Sequence, residues 1–318
     1  MKLVDVTLRD GGFVNDFDWD MNLAKKHIET MVNIGIDVIE LGYWKQTEKS
    51  SNPFYNFNEK HLDFLTSGAN KSTSFGVMID YHYCQKSLDA YPTLGDTRLE
   101  IIRVTSRKED FVKALDFTQK IKEDKKLKVS FQIINSTNYS KKELEDLLKL
   151  ISEYKMDMVA FADSHGNLNL NSDLDRYMPA IEILRANSID WGLHLHNHTG
   201  RANMNYWIGK SLNCNYMDAS VKGLGKGGGN LKLEEIVDND VIPEIMDFMV
   251  HHAPEDMRIH KAQAYNTICG RWNVTDNYRK VGMKHDLDFS SFQAIIKKIE
   301  GIDKDTYNAD AFEFWLDK

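Results

Sequence analysis

Short apolar runs rich in β-branched residues alternate along this chain with longer stretches whose apolar positions recur every three or four residues. That rhythm is the signature of parallel βαβ units. It predicts strands at Lys2–Leu8, Val38–Gly42, Ser74–Asp80, Leu99–Thr105, Val129–Asn135, Met156–Ala162, Trp191–His196 and Met217–Gly223. Helices are expected between them, among them Trp19–Asn33, Glu109–Glu123, Lys141–Tyr154 and Leu174–Ala186. Runs such as Val38-Ile39 and Val159-Ala160-Phe161 are apolar on both faces, as strands covered on both sides require. Eight strand–helix repeats predict an α/β protein with a closed (β/α)8 TIM barrel, whose active site lies at the C-terminal strand ends. A doubly wound open sheet would be favoured by a G-x-G-x-x-G fingerprint after the first strand. Asp10-Gly11-Gly12 does not supply it.

From Pro254 onward the rhythm is lost. One helical pattern remains, Phe289–Ile299, with an aromatic group of Tyr265, Trp272, Tyr278, Phe312, Phe314 and Trp315. The expected division is a catalytic barrel over 1–250 and a C-terminal helical extension, 251–318, packed on it. A lid or an assembly surface is a further use for such a tail.

Composition narrows the partners. A net charge of −8 argues against nucleic acid, because phosphate binding needs a basic surface. No run approaches the ~18 apolar residues of a membrane span. Cys84, Cys214 and Cys269 are far apart and form no C-x-x-C pair, which speaks for a reducing compartment without thiolate metal sites. Met1-Lys2-Leu3-Val4-Asp5 enters a strand pattern at once and lacks a signal peptide's apolar core, so a cytoplasmic protein is expected.

The sharpest chemical feature is Gly192-Leu193-His194-Leu195-His196-Asn197-His198. Residues two apart on a strand share a face, so His194 and His196 project together and form half of a metal site. A pair of hydrogen-bonded structural histidines fits that motif alone equally well. Asp10, in Thr7-Leu8-Arg9-Asp10-Gly11-Gly12, ends the first strand, where strands one and seven converge. It can complete a mixed His/carboxylate set suited to Mn²⁺, Co²⁺, Fe²⁺, Zn²⁺ or Mg²⁺. Arg9 can neutralise an oxyanion or grip a carboxylate, although an Asp–Arg pair that merely closes the barrel is the plainer alternative. The loop Lys222-Gly223-Leu224-Gly225-Lys226-Gly227-Gly228-Gly229-Asn230 exposes backbone N–H groups able to bind anions, but it is not a P-loop.

Together these motifs resemble the HMG-CoA lyase-like metal-dependent barrel superfamily over roughly residues 3–240. Within it, the run Asp218-Ala219-Ser220 before the glycine loop looks most like the 4-hydroxy-2-oxovalerate aldolase branch. The resemblance implies Asp10, His194 and His196 as ligands of one divalent metal, with Asn230 at or near it, and Arg9 as catalytic. It implies substrate contacts from Arg9, Glu40, Asp163, Ser164 and Gly225. The departure from the pattern is at position 13: the aldolase branch carries a histidine base three residues after the metal-binding Asp, and here stands Phe13. His165 is the candidate replacement.

The expected reaction is carbon–carbon cleavage of a 2-oxo acid through a metal-stabilised enolate, with an aldehyde departing. Pyruvate is the expected 2-oxo product, and Tyr43, Trp44, Tyr81, His82 and Tyr83 would give the mouth an aromatic rim. Competing readings are a Schiff-base aldolase using Lys222, a metallohydrolase, and a catalytically altered barrel serving as a binding or scaffold subunit. The metallohydrolase is disfavoured because its His-x-His pair belongs on strand one. The resemblance leaves room for a homo-oligomer or a dehydrogenase partner.

Overall fold

The computed structural model describes residues 1–45, 51–69 and 72–316. Eight strands close into a barrel in sequence order: β1 (Lys2–Asp5), β2 (Val38–Tyr43), β3 (Ser74–Asp80), β4 (Leu99–Thr105), β5 (Lys128–Ile133), β6 (Met158–Asp163), β7 (Asp190–Leu195) and β8 (Tyr216–Ala219). All neighbours run parallel, and β1 seals against β8 with Lys2 opposite Tyr216 and Asp5 opposite Ala219. The predicted strands are all present with ends shifted by a few residues. The barrel interior is filled by Val4, Val38, Ile101, Met158 and Tyr216, all buried.

The largest shift is at β1, which stops at Asp5 where the hydrophobic pattern ran on to Leu8. Asp5 ends it chemically. Its carboxylate accepts from the Thr7 N–H (3.1 Å) and the Thr7 hydroxyl, and His27 on the helix Met21–Asn33 holds its other oxygen at 2.7 Å. An acidic side chain that captures the backbone two residues on competes with the strand ladder and starts a turn. Thr7–Asp10 is therefore one helical turn, closed by Asp10 N–H to Val6 C=O at 2.8 Å. Arg9 and Asp10 ride on that turn above the barrel.

The outer helices follow the expected periodicity. Lys141–Ser152 begins with a reciprocal cap between Ser140 and Glu143 and buries Leu144, Leu147, Leu148 and Ile151 along one stripe. On β7 the alternation is clean: Leu193 points outward to Gly209 of the helix Ala202–Ser211, and the histidines take the inner face.

The chain divides into two compact units, Met1–Glu235 and Ile236–Lys318. The helices of the second include Lys261–Arg271, Phe289–Ile296 and Ala309–Leu316. The helical pattern read as far as Ile299 breaks at Ile296, and buried Ile299 follows in a turn. Tyr265 meets Phe292 edge-on at 4.7 Å, and Tyr278 stacks on Phe312 at 5.8 Å, so aromatic packing makes this unit's core. Among the described residues, no helix is long and apolar enough to cross a membrane.

Where β2 meets the mouth, Tyr43 N–H bonds Phe54 C=O and Phe57 N–H bonds Tyr43 C=O, each at 2.8 Å. A Cβ on Gly42 would stand 2.5 Å from that Phe54 oxygen. Gly42→Ala is expected to cost about 1–3 kcal/mol, since backbone cannot yield as a side chain can. A lowered urea midpoint at unchanged slope is the readout.

Candidate metal centre

Asp10, His194 and His196 are brought together, all three buried, with ligand-type atoms within 4.8 Å of one another. Each reaches the spot from a different local device. Asp10 comes from the turn after β1. His194 lies on β7, and His196 lies one residue past its end, kept extended by an isolated bridge to Asn230. The two Nε2 atoms are 3.2 Å apart, and each stands 3.9 Å from one Asp10 oxygen.

The opposite ring nitrogens decide the tautomers. His194 Nδ1 is 2.9 Å from Asp218 Oδ2, and His196 Nδ1 is 3.1 Å from the Lys226 carbonyl. Both partners only accept, so both Nδ1 atoms carry the proton and both Nε2 atoms present lone pairs. Three acceptors thus converge with no hydrogen among them, an arrangement a cation satisfies. Asn230 donates to Asp10 Oδ2 (2.9 Å) and to Leu224 C=O (3.0 Å), which leaves its own Oδ1 buried without a hydrogen-bond partner. The donor set and this orphaned oxygen fit a hard or borderline divalent ion.

Charge is organised around the trio. Burial alone would push the Asp10 carboxyl up, but Arg9 beside it and the two imidazoles hold it well below the usual carboxylate range. Burial, then the neighbouring His194, push His196 down to about 4, so it is neutral at pH 7. Arg9 is bonded to Asp10 and gives Nε–H to Glu40 at 2.6 Å. Burial works against its charge, but Glu40 and Asp10 keep the guanidinium firmly protonated.

The other expected residues divide between wall and foundation. Arg9, Asp10, Ser164, His194 and His196 line an open cavity of about 400 Å³. Glu40 is fully buried and holds Arg9 from beneath. Asp163 turns to its own loop, accepting from the N–H groups of Asn167 and Leu168 at 3.0 and 3.2 Å. Gly225 is a clearance: a Cβ there would stand 2.6 Å from Asp10 Oδ2 and closer still to the Asn230 amide. His165 is exposed and is not among the residues lining the cavity. Lys222 is exposed in the turn after β8, likewise outside that lining. Phe13 does line the cavity, edge-on to Phe17 (5.0 Å) and Tyr43 (6.1 Å).

Sequence reasoning missed Arg103, Gln132, Lys45 and Lys226. Arg103 bonds both oxygens of Asp218 (2.7 and 3.0 Å) and stands 3.2 Å from Glu40, tying the His194 support to the Arg9 support. The available signal was an arginine set in an apolar strand, Ile101-Ile102-Arg103-Val104, where a charge needs a buried partner.

The chain has counterparts among known proteins. The HMGL-like family model matches residues 92–259. An oxaloacetate decarboxylase of Mycobacterium tuberculosis is 23% identical over 74% of this chain and 68% of its own length. A 4-hydroxy-2-oxovalerate aldolase of Geobacillus genomosp. 3 is 22% identical over 74% and 69%. The solved hydroxymethylglutaryl-CoA lyase of Pseudomonas aeruginosa shares the fold at a TM-score of 0.61 and 13% identity, covering 89% of this chain and 97% of that one. The chain belongs to the HMGL-like family and is an enzyme of the aldolase and lyase type, for which a divalent metal is the typical cofactor.

Two outcomes are expected. Asp10→Asn and His196→Ala should each abolish tight binding of one Mn²⁺ per chain, measured by calorimetry on chelator-treated protein. Burial pushes Asp163 up to about 6 against its backbone donors, from an ordinary value of 3.8. A raised acid costs stability where it must ionise, so that cost grows as pH rises from about 4 to about 6 and is constant above. The stability of Asp163→Asn relative to the natural protein should rise across that window in urea titrations. A flat difference would count against the assignment.

Proposed function

We propose that this enzyme cleaves a carbon–carbon bond in a 2-oxo acid by way of an enolate, releasing pyruvate and an aldehyde, with one divalent ion held by Asp10, His194 and His196. The observation that carries the reading is the proton-free acceptor trio, set beside the Arg9 guanidinium at the wall of an open cavity. The two curated relatives above are named for 2-oxo acid chemistry, and this supports the same substrate class.

A bound divalent ion would supply a Lewis-acid charge next to the substrate carbonyl, worth several kcal/mol to a developing enolate. The chain's own residues do the rest. Arg9, fixed by Glu40 and Asp10, places positive charge where the oxyanion grows and needs no reorganisation to do so. Ser164 Oγ accepts from Asn135 N–H at 2.9 Å and lines the cavity, which leaves its own hydrogen to orient a substrate oxygen. Gln132 stands in the same wall, and its amide is held to Ser130 Oγ at 2.6 Å. Phe13 cannot move a proton; together with Phe17 and Tyr43 it makes an apolar shoulder that limits water. The departing hydroxyl must therefore give its proton elsewhere, and His165, exposed and outside the lining but adjacent in sequence to cavity-lining Ser164, is the candidate. Mn²⁺ or Mg²⁺ suits the donor set. Three buried free thiols fit a cytoplasmic setting.

With Mn²⁺ or Mg²⁺, 4-hydroxy-2-oxo acids should release pyruvate, activity should vanish with a chelator, and added metal should restore it. Arg9→Gln is expected to lower kcat about 100-fold or more. His165→Ala at saturating metal decides its role: lost turnover supports a base, unchanged turnover removes it. Absence of both pyruvate release and pyruvate C3 proton exchange would leave a binding barrel instead. Borohydride trapping at Lys222 would favour the Schiff-base route.

A further inference from the structure

His198 and the glycines Gly227, Gly228 and Gly229 stand outside both the acceptor trio and the cavity lining, yet they meet one another. Past the end of β7 the glycine loop returns antiparallel beside the chain. Leu231 N–H bonds Leu195 C=O at 2.9 Å and Asn197 N–H bonds Gly229 C=O at 2.8 Å, on either side of the His196–Asn230 bridge. The tip of the loop is held by a side chain instead: His198 Nε2 accepts from the Gly228 N–H at 3.0 Å. An imidazole that accepts at Nε2 carries its proton on Nδ1. The His198 ring also lies 5.6 Å from the ring of His196.

The glycines are explained by this imidazole. Gly228 does not have a left-handed backbone, so its conformation does not call for glycine; a Cβ there would stand 2.6 Å from His198 Cα and 2.9 Å from its Cγ. A Cβ on Gly227 would collide with Nε2 itself. From the loop after β6, a Cβ on Gly166 would stand 2.6 Å from the His198 backbone nitrogen, and the Thr199 hydroxyl donates to Gly166 C=O at 2.6 Å. His198 thus packs against two loops, one carrying Ser164 and the other carrying Lys226 and Asn230.

Lys226 links this contact to the trio. It lies two residues before Gly228, and its N–H is 3.3 Å from Asp10 Oδ2. Its carbonyl receives His196 Nδ1 at 3.1 Å and the Gly229 N–H at 3.3 Å. We propose that His198 is a positioning residue for the metal centre: by pinning the Gly228 N–H it keeps the Lys226 carbonyl on His196 Nδ1, and so holds the His196 Nε2 lone pair toward the ion. This rests on the metal reading of the trio. Groups that orient a ligand histidine tune metal affinity without touching the ion.

The test is calorimetry of Mn²⁺ binding to chelator-treated full-length protein. His198→Phe keeps a ring but has no acceptor, and should raise the Kd about 10-fold. His198→Gln offers a side-chain oxygen in place of Nε2 and should stay within about 3-fold of the natural protein. Gly228→Ala breaks the same contact from the other partner; it should weaken binding as His198→Phe does, and the double variant should be no worse than either. His198→Leu replaces Phe if that variant fails to fold. A readout independent of metal is ¹⁵N NMR of the metal-free protein. There His196 should carry its proton on Nδ1 in the natural protein and in His198→Gln, and become a mixture of tautomers in His198→Phe. A His198→Phe protein with natural Mn²⁺ affinity overturns the proposal, as does a Gln variant as weak as Phe. Failure of the metal reading is distinct, because it shows as no Mn²⁺ binding by the natural protein. The NMR arm then decides alone: mixed tautomers in His198→Phe uphold the positioning role, and an unchanged Nδ1–H tautomer removes it.

Discussion

The mouth of this barrel depends on holding three lone-pair acceptors together: the Asp10 carboxylate and two imidazole nitrogens 3.2 Å apart. In a low-dielectric interior such a convergence is costly, because nothing within the trio itself satisfies it. The surrounding structure offsets the cost by spreading charge. Asp10 is bonded to Arg9, Arg9 to Glu40, Glu40 is paired with Arg103, Arg103 is bonded to Asp218, and Asp218 holds the Nδ1 of His194, whose Nε2 stands beside Asp10 in the trio. Signs alternate from Asp10 to Asp218, and this chain of contacts draws on β2, β4, β7, β8 and the turn after β1. Arg9, Glu40 and Arg103 each have two charged neighbours, so removing one strands two others, and such losses exceed the worth of a single pair.

This chain of contacts also separates two tasks. Residues beneath the cavity fix tautomers and keep Arg9 charged, whereas residues lining it face what the substrate presents. Phe13 lies on the cavity side of that division, against Phe17 and Tyr43. A ring at that position cannot carry a proton, and it leaves the acceptor trio undisturbed.

Much of this was legible before any coordinates. Strand–helix alternation is a long-period signal that many residues report together, so the eight-stranded barrel could be read from hydrophobic spacing. The histidine pair was legible because period two puts residues 194 and 196 on one face in any strand. The end of β1 was not, because Asp5 overrides the apolar run through a side-chain bond to Thr7 that periodicity does not register. Nor were Arg103 and Lys45. A lone cation in a chain with 40 lysines and arginines carries no mark of burial until the fold supplies its neighbours. Glu40 and Asp163 were found by motif, but whether they face the cavity depends on side-chain direction, which a motif does not encode.

The seam between β1 and β8 joins residues 2–5 to residues 216–219, and the Asn230 that braces Asp10 lies farther along still. During synthesis, Asp10 emerges long before His194, His196 and Asn230 exist. No fragment that stops short of β7 can assemble the trio. The brace from Asn230 to Asp10 then forms only once the ring of strands has closed.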